Sequence, residues 1–596
     1  MGKLKLNYMK KLMNYLFKYK VGLVIAFFMT VANQILCLIL PEIMAKIVNI
    51  GIMRHGVEDE SLLHFFNNDE LFSLQTRYVM KNGIMMLLIS LVGIGLMFIH
   101  SYIMAKISSN ISFDLRNELY GKILELPLKE TNKISKASLI NRVVGDTESV
   151  KSFILLIPRF VVPIVLAIGG TVAAVRKSLE MSWAILGGVL VSCIIILMSF
   201  SLIVPKMKKL KLLADKFNLI IKERVTGIVN IRTFGCKEYM RKKFDVCNKE
   251  VFDLSISINK LTSAIMPFIA IILNFISVMV IWIGAKDIES GIMNVGDIMA
   301  FLQYLIMTTS AFLILGVSIS QVPQLWISVE RVFEILDIPS DFDEIISNKE
   351  HLITFKKNIK FNNVNFGYES AENNILKDIN LDIKKGEKIG IVGATGSGKS
   401  TFAKLVTGLY RPTKGTIYFD DANISDVLSS DNNSLVSYVS QNSPLFRGTI
   451  RYNLTMGSHG ISEEKILLAC QDAQIIDFVQ DNGLEKEIKS FNSGVSGGQR
   501  QRLSIARALL KDSEIYVFDD CFSKLDFKTE IDIQASLAKR LESKNVFVIS
   551  QRVMSVKNMD RILVFNSGRI IACGTHEYLL KNCVEYEEMY EIQVGL

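Results

Sequence analysis

The chain has 596 residues, enough for several domains, and 50% of them are hydrophobic. This composition argues against a wholly soluble protein, and the net charge of +9 is compatible with nucleic acid or with an anionic membrane surface until the charges are located. The eight cysteines form no CxxC pair and no metal-ligand spacing with the six histidines, so we expect reduced thiols and no zinc site.

Long apolar runs recur through the first half of the chain. The first follows a basic N-terminus, but it is too long for a secretory signal peptide and lacks a small-residue cleavage site. Two later runs, Val161–Val175 and Ile185–Val204, contain no charged residue. Because about 20 apolar residues span a bilayer as a helix, the pattern predicts about six transmembrane helices, near residues 19–50, 82–107, 152–175, 179–204, 261–285 and 295–322.

The positions of lysine and arginine predict how these helices are oriented. The N-terminal arm and the segments 108–151 and 205–260 are basic, whereas the segment 54–80 has more acidic than basic residues. Basic segments stay in the cytoplasm, so we expect a plasma-membrane protein with both termini inside. The net charge then reflects topology and attraction to anionic lipid, with no nucleic acid as partner. Arg176 and Lys177, in a short outer turn, depart from this rule.

The two basic inner segments are too polar to lie in the membrane but are compatible with helices. We expect them to extend the spanning helices into the cytosol, each pair closed by a short turn. The candidate turns are Pro127–Ser138 and Gly227–Glu238, and an ordinary surface loop is the alternative for both.

Several polar residues lie within the apolar runs. Polar groups inside a membrane are costly and therefore mark a substrate path or a hydrogen bond between helices, and both interpretations stay open here. Some of these residues also suit helix ends. The candidates are Asn33, Gln34, Glu42, His100, Arg159, Asn274 and Gln303.

The membrane pattern ends near residue 322 and a different domain follows. Ser328–Leu336 has the pattern of a short amphipathic helix, and Asp337–Glu344 is a polar, proline-containing stretch. We therefore expect a transmembrane domain over residues 1–325, a linker over 326–351 and a soluble domain over 352–596. In that last domain short β-branched runs alternate with helical stretches, which predicts a largely parallel sheet.

A phosphate-binding loop is the most specific motif of the chain. Gly393–Ser400 reads Gly-Ala-Thr-Gly-Ser-Gly-Lys-Ser, after the apolar run Lys388–Val392 and before a helix-compatible stretch that begins at Thr401. Its glycines let backbone N–H groups turn toward phosphates, and the helix start adds a positive dipole end. The motif predicts ATP bound by Gly393, Ala394, Thr395, Gly396, Ser397, Gly398, Lys399, Ser400 and Thr401, with Ser400 on Mg²⁺.

Other candidate site residues stand at the ends of strand-like runs. Tyr368 suits stacking on an adenine ring, and Gln441 suits contact with Mg²⁺ or with the attacking water, although each is a weak signal alone. The buried run Glu514–Asp520 ends in two carboxylates. We expect Asp519 to hold Mg²⁺ through water, opposite Ser400, and Asp520 to stand where a general base would act on water.

A second candidate anion site lies at Val495–Gln499, where small residues precede a helix start. Since the chain already has a phosphate loop, this site implies a second nucleotide, supplied when two chains pair head to tail. Ser496, Gly497, Gly498 and Gln499 would then face the phosphate loop of the partner chain.

Together these motifs resemble an ABC transporter of the exporter type, a half-transporter whose α-helical membrane bundle of six transmembrane helices precedes an α/β P-loop ATPase domain. The resemblance covers nearly the whole chain. It implies that Tyr368 is the adenine-stacking residue, Gly393–Ser400 the Walker A motif and Gln441 the Q-loop residue. It likewise implies the signature motif at Val495–Gln499, Walker B at Ile515–Asp519, the D-loop at Ser523–Asp526, and coupling helices at the two candidate turns.

The sequence also departs from the family pattern. The catalytic Glu of the family is Asp520 here, the switch His is Gln551, the acidic patch before the signature is Lys489–Asn492, and the signature Leu is Val495. Asp520 sets its carboxylate about 1.5 Å back from the water, and a misplacement of that order can cost about 100-fold in rate. Gln551 lacks the charge of an imidazolium. This pattern resembles the degenerate-site subunit of a heterodimeric exporter.

The resemblance implies an ATP-driven exporter that moves an amphipathic drug, lipid or peptide, with weak hydrolysis at its own site and a second half-transporter chain as partner. A regulatory or sensory subunit that binds ATP without efficient hydrolysis and a homodimeric exporter remain alternatives. Uptake, as in some members with the exporter fold, also remains open.

Overall fold

The computed structural model describes residues 2–53, 68–339, 355–368, 373–424, 435–442, 444–458, 460–488 and 494–595. The described chain divides into two compact units. The first comprises Met1–Gly121 and Ala137–Asp337, and the second comprises Lys122–Lys136 and Ile338–Leu596. The departure at Lys489–Asn492 lies outside the described residues.

The first unit is built from long helices, several of which run well beyond the length of a membrane span. In chain order these are α1 (Gly2–Lys18), α2 (Lys20–Lys46, continued by the π-helical turns Ile47–Ile52), α3 (Asn68–Glu125), α5 (Lys136–Asn141), α6 (Thr147–Leu156), α7 (Pro158–Lys177), α8 (Leu179–Thr226), α9 (Ile228–Thr233), α10 (Lys237–Glu289) and α11 (Val295–Leu336). The short α4 (Leu128–Lys133) belongs to the second unit.

Five helical stretches of the described residues are long and apolar enough to cross a membrane: Lys20–Ile52, Gln75–Glu125, Lys136–Lys177, Lys237–Glu289 and Val295–Leu336. The helix α8 contains the uncharged run Ile185–Val204 and is the remaining predicted span. The two candidate inner turns contain short helices, α4 and α9.

The end of the last long helix differs from the sequence prediction. A separate helix was expected over Ser328–Leu336 within the linker, but α11 continues without a break to Leu336 and includes the first part of that linker. Val329, Val332 and Phe333 are buried and carry the apolar face of the helix past the membrane run. The helix ends before Ile338-Pro339, where the proline disfavours helical backbone in the preceding residue.

Lys177, one of the two basic residues that depart from the orientation rule, has an acidic partner. Its Nζ lies 2.7 Å from Oδ1 of Asp297, in the first turn of α11. Asp297 also completes a capping box with Asn294, because each side chain bonds the other residue's backbone N–H. The ion pair offsets the Lys177 charge and joins the end of α7 to the start of α11.

Among its described residues, the second unit has three sheets. The largest has the order β12 (Arg569–Gly574), β11 (Arg561–Asn566), β3 (Lys388–Gly393), β10 (Asn545–Ile549), β9 (Ile515–Asp519) and β6 (Val436–Val439), parallel except at β12. An antiparallel sheet, which the largely parallel prediction missed, has the order β2 (Leu376–Lys384), β1 (Asn358–Phe366), β4 (Lys414–Phe419) and β5 (Ala422–Asn423). The strands β7 (Gly448–Thr449) and β8 (Glu487–Ile488) form a small third sheet.

Helices of the second unit cover these sheets. They are α12 (Lys399–Val406), α13 (Ile450–Thr455), α14 (Glu463–Asp472), α15 (Ile476–Asn482), α16 (Gly497–Leu509), α17 (Phe527–Arg540), α18 (His576–Asn582) and α19 (Val584–Val594).

All five residues of β9 are buried. Tyr516 and Phe518 belong to one hydrophobic cluster, and Ile515 and Val517 belong to another. Alternate side chains of the strand thus reach two cores, one on each face of the sheet.

Candidate functional site

The phosphate loop joins the end of β3 to the start of α12, as the sequence predicted. Gly393, Gly396 and Gly398 have positive φ angles of 147°, 83° and 104°. A Cβ atom on Gly393 would lie 2.2 Å from the backbone oxygen of Phe565, so no larger residue fits there. The loop therefore depends on glycine for both its backbone angles and its close approach to β11.

Lys399 folds back onto this loop. Its Nζ donates to the backbone oxygens of Gly393 and Ala394 at 2.7 and 2.8 Å, and the residue is 7% exposed. Burial lowers the pKa of the Lys399 ammonium, and the negative charges of Asp520 and Asp519 oppose that shift. A cation held among carbonyl groups beside an open loop is well placed to meet the oxygens of a phosphate group.

Ser400 and Asp519 lie in direct contact. Ser400 Oγ donates to Asp519 Oδ1 at 2.9 Å, and Tyr438 donates its phenolic proton to Oδ2 at 3.0 Å. Asp519 ends the buried strand β9 and is 2% exposed. Burial raises the pKa of its carboxyl, while the Ser400 and Tyr438 hydrogen bonds lower it and Asp520 raises it further. A hydroxyl and a carboxylate are the oxygen donors that Mg²⁺ prefers, so this pair fits the ion.

Asp520 has a left-handed backbone, with φ of 50°. Its backbone N–H donates to the Ile549 carbonyl at 2.9 Å, which joins it to the end of β10. Its Oδ2 accepts a 2.9 Å bond from Nε2 of Gln441, which follows β6. The structure therefore places the amide of Gln441 on Asp520, and Asp519 takes the hydroxyl of Ser400.

Gln551 follows β10 on the same side of the sheet. Its Oε1 accepts a bond from Thr395 Oγ1 of the phosphate loop at 3.5 Å, and the side chain is otherwise exposed. The C-terminal helix α19 supports the backbone here. Gln593 donates to the Gln551 carbonyl at 2.9 Å and accepts from the Val553 N–H at 2.7 Å.

These residues surround one cavity of about 270 Å³. Its walls come from the phosphate loop and from the residues at the carboxyl ends of β6, β9 and β10. The lining residues are Ile375, Thr395, Gly396, Gly398, Lys399, Ser400, Thr401, Gln441, Asp519, Asp520, Ile549, Ser550 and Gln551. The cavity therefore brings together eight of the sixteen residues that the sequence predicted for nucleotide and metal binding, with Asp520 and Gln551 beside them.

Tyr368 lies beside this cavity in an aromatic cluster. Its ring meets those of Phe366 and Tyr410 edge to face, at centroid distances of 5.1 and 5.4 Å, and its hydroxyl lies 3.5 Å from Thr401 Oγ1. The Tyr410 hydroxyl in turn accepts a 2.8 Å bond from the Asn132 amide in α4. The sequence did not predict Tyr410 or Asn132 as neighbours of Tyr368.

Ser496–Gln499 form the first turn of α16, as the small residues predicted. The Ser496 hydroxyl accepts from the Gln499 N–H at 3.2 Å, and the Gln499 side chain accepts from the Ser496 N–H at 2.9 Å. A Cβ on Gly497 would lie 3.3 Å from the Lys524 side chain in the predicted D-loop. None of these four residues lines the cavity described above.

The fold and the site define a membrane protein joined to a P-loop nucleotide-binding domain. Residues 23–312 match the family described as ABC transporter transmembrane region, and residues 376–523 match the family described as ABC transporter. The chain belongs to the ABC transporter family, as a half-transporter of the exporter type with one membrane domain and one ATP-binding domain.

Relatives with and without a named activity are similar to this chain over most of its length. The ATP-dependent lipid A-core flippase of Syntrophus aciditrophicus is 30% identical over 534 residues, which cover 85% of this chain and 84% of that protein. The uncharacterized ABC transporter ATP-binding protein YfiB of Bacillus subtilis is 28% identical over 98% of this chain and 99% of its own length. A solved structure of a bacterial Atm1-family ABC exporter with ATP bound superposes with a TM-score of 0.79, at 22% identity, over 96% of this chain and 99% of that one.

Proposed function

We propose that this chain binds MgATP in the cavity beside the phosphate loop and uses it to drive export of an amphipathic compound from the cytoplasm. The observation that carries this proposal is the arrangement of Lys399, Ser400 and Asp519 around one open cavity. A phosphate chain entering there would replace the carbonyl partners of Lys399. The Ser400 hydroxyl would turn from Asp519 toward the metal, and Mg²⁺ would offset the charge of the phosphates.

A lipid is one member of the proposed substrate class, beside drugs and peptides. The lipid A-core flippases among the relatives support a lipid, at moderate identity. Of the polar residues in the apolar runs, Gln34 is buried and His100 bonds the Thr30 hydroxyl at 2.9 Å. The burial of Gln34 and the contact between His100 and Thr30 favour a role between helices, so we do not assign either residue to substrate.

We propose that hydrolysis at this chain's own site is weak. Asp520 is one methylene shorter than glutamate, and its carboxylate is bonded to Gln441. Gln551 offers an uncharged amide in place of an imidazole. Both changes act on the step in which water attacks, because one affects the base and the other the stabilisation of developing charge. Among the described residues, the hydrogen bonds of Lys399 Nζ go to Gly393, Ala394 and Ser397, and to neither Asp520 nor Gln551.

We further propose that the partner is a different half-transporter that carries glutamate and histidine at these positions. Ser496–Gln499 form a helix start that does not line this chain's own cavity, which supports a role in completing the partner's site. The proposed orientation, with both termini in the cytoplasm of the cell, rests on the basic inner segments. A homodimeric exporter and a regulatory ATP-binding subunit are the alternatives.

The first experiment is steady-state ATPase of the full-length chain in lipid, compared with the Asp520→Glu, Gln551→His double variant. We expect near-zero activity for the unmodified chain and a rise of about 100-fold or more in the double variant. Robust activity of the unmodified chain would instead support a homodimer. Transport that continues after Lys399→Ala in the complete transporter, with nucleotide binding lost at this site, would contradict ATP use here.

A further inference from the structure

Tyr438 contacts Asp519 at the proposed metal site but belongs to none of the sequence motifs. It lies on β6, the edge strand next to β9, and its backbone pairs with Val517, two residues before Asp519. Its hydroxyl reaches Asp519 Oδ2 at 3.0 Å. The other carboxylate oxygen, Oδ1, takes the hydroxyl of Ser400 at 2.9 Å. Each oxygen of Asp519 therefore has its own neutral donor.

The two donors differ in what becomes of them when Mg²⁺ binds. Ser400 is a proposed metal ligand, so its hydroxyl must leave Asp519 and turn a lone pair toward the ion. Tyr438 lies outside the lining of the cavity and has no such second task. Its bond to Oδ2 can persist, which leaves Oδ1 alone facing the metal and its waters.

The phenol of Tyr438 is uncharged, and this matters for the attraction of the cation by Asp519. A lysine or arginine in this position would cancel the negative charge that attracts the cation. A phenol orients the carboxylate through a hydrogen bond and leaves its charge in place. Because β6 and β9 are hydrogen-bonded neighbours, the donor and the acceptor are both held by the same sheet.

We propose that Tyr438 is a positioning residue for Mg²⁺, which fixes the Asp519 carboxylate by donating to Oδ2 so that Oδ1 faces the ion. The inference rests on the proposed binding of MgATP at this site. Removal of an outer-shell partner of this kind typically lowers metal affinity about 10-fold to 100-fold. A purely structural hydroxyl would change the stability of the protein and leave the Mg²⁺ dependence of nucleotide binding unaltered.

The test uses the full-length chain in lipid and a fluorescent ATP analogue, titrated first in EDTA and then at increasing Mg²⁺. For Tyr438→Phe we expect unchanged affinity for the analogue in EDTA. The Mg²⁺ concentration that gives half of the Mg²⁺-dependent change in affinity should rise about tenfold. Tyr418 lies on β4 in the antiparallel sheet. Tyr418→Phe is the matched control and should behave as the unmodified chain. Thermal unfolding of each variant reports any structural loss separately.

A half-effect Mg²⁺ concentration within twofold of the unmodified chain would overturn the role of Tyr438. Analogue binding that ignores Mg²⁺ in the unmodified chain would instead overturn the proposed metal site. If Tyr438→Phe does not fold, the double variant with Asp519→Asn removes the buried charge together with its donor. The double variant and Asp519→Asn should share one Mg²⁺ dependence, and a further loss in the double variant would show that Tyr438 does not act through Asp519.

Discussion

The two ends of the candidate site differ in how firmly this chain holds them. At the phosphate-loop end, Lys399 and Asp519 are 7% and 2% exposed, and each has at least two hydrogen-bond partners. The side chains proposed to act on water, Gln441, Asp520 and Gln551, form the hydrolytic end. Gln441 and Gln551 are exposed, and Asp520 is half-buried. Each of these three side chains is held by one bond, at 2.9 or 3.5 Å.

This contrast separates binding from hydrolysis. Buried polar groups with complete partners are preorganised for a ligand, whereas exposed groups with few contacts gain a fixed position only when another surface covers them. We infer that this chain's own residues are sufficient to hold the nucleotide, and that the hydrolytic end depends on a second chain that covers it, either the partner or another copy of this chain. The comparison can be tested from either end.

The largest expected effect is at the phosphate-loop end, with Lys399→Ala. Charge-assisted bonds contribute about 1.5–3 kcal/mol each, so we expect nucleotide affinity to fall about 100-fold. The measurement is titration of the full-length chain with a fluorescent ATP analogue. Lys414→Ala, at the exposed start of β4, is the control and should bind normally. Equal affinity in the two variants would remove Lys399 from the binding site.

A pair of neighbouring substitutions compares the two ends directly. Asp519→Asn removes the buried carboxylate and should weaken the effect of Mg²⁺ on binding by about 10-fold to 100-fold. Asp520→Asn keeps a residue that tolerates the left-handed backbone and should leave binding within about twofold. It should also abolish residual hydrolysis at this site. The contrast fails if both variants lose affinity for MgATP to the same degree.

The binding end was predictable because its signals are local. Gly393–Ser400 form one contiguous motif, and Asp519 follows the apolar run Ile515–Phe518, so both can be placed from the sequence without knowledge of the rest of the fold. The same holds for the start of α16 at Ser496, where small residues precede a helix. The structure has each of these elements where the motif puts it.

Contacts between distant parts of the chain left no such signal. Asn132 and Tyr410 are 278 positions apart, and Tyr438 is 81 positions from Asp519. The antiparallel sheet was missed for a related reason, since the direction of pairing depends on connections and not on the apolar pattern of each strand. The continuation of α11 to Leu336 was not predicted. The apolar membrane run and the amphipathic run that follows it have the same helical period, so a single helix can contain both.

A smaller effect is expected from the backbone of Asp520. Its φ of 50° suits aspartate and asparagine better than glutamate. Asp520→Glu should therefore lower stability by up to about 1 kcal/mol, while Asp520→Asn should not. Thermal unfolding of the full-length variants measures this difference. A glutamate variant as stable as the unmodified chain would mean that the local backbone does not favour the shorter side chain.

The smallest expected effect also acts on the hydrolytic end, through the C-terminal helices. His576 in α18 bonds the Tyr586 hydroxyl of α19 at 2.8 Å, and α19 holds the backbone of Gln551 through Gln593. Burial lowers the pKa of His576, with Lys557 adding to the shift and Glu577 opposing it. The pKa of His576 is lower in the folded state than in the unfolded state. Its contribution to folding stability is therefore complete above about pH 6.5 and is lost as the pH falls through the folded-state pKa.

Hydrogen exchange on the full-length chain can measure this effect at both ends of the site. Exchange rates are first corrected for the intrinsic effect of pH. Between pH 7.5 and 5.5 we expect amide protection near residues 551–553 to fall about two- to threefold, whereas protection in Gly393–Ser400 stays constant. His576→Gln removes the titrating group and should abolish the difference between the two pH values. An equal loss of protection in the phosphate loop would mean that the two ends of the site are not held independently.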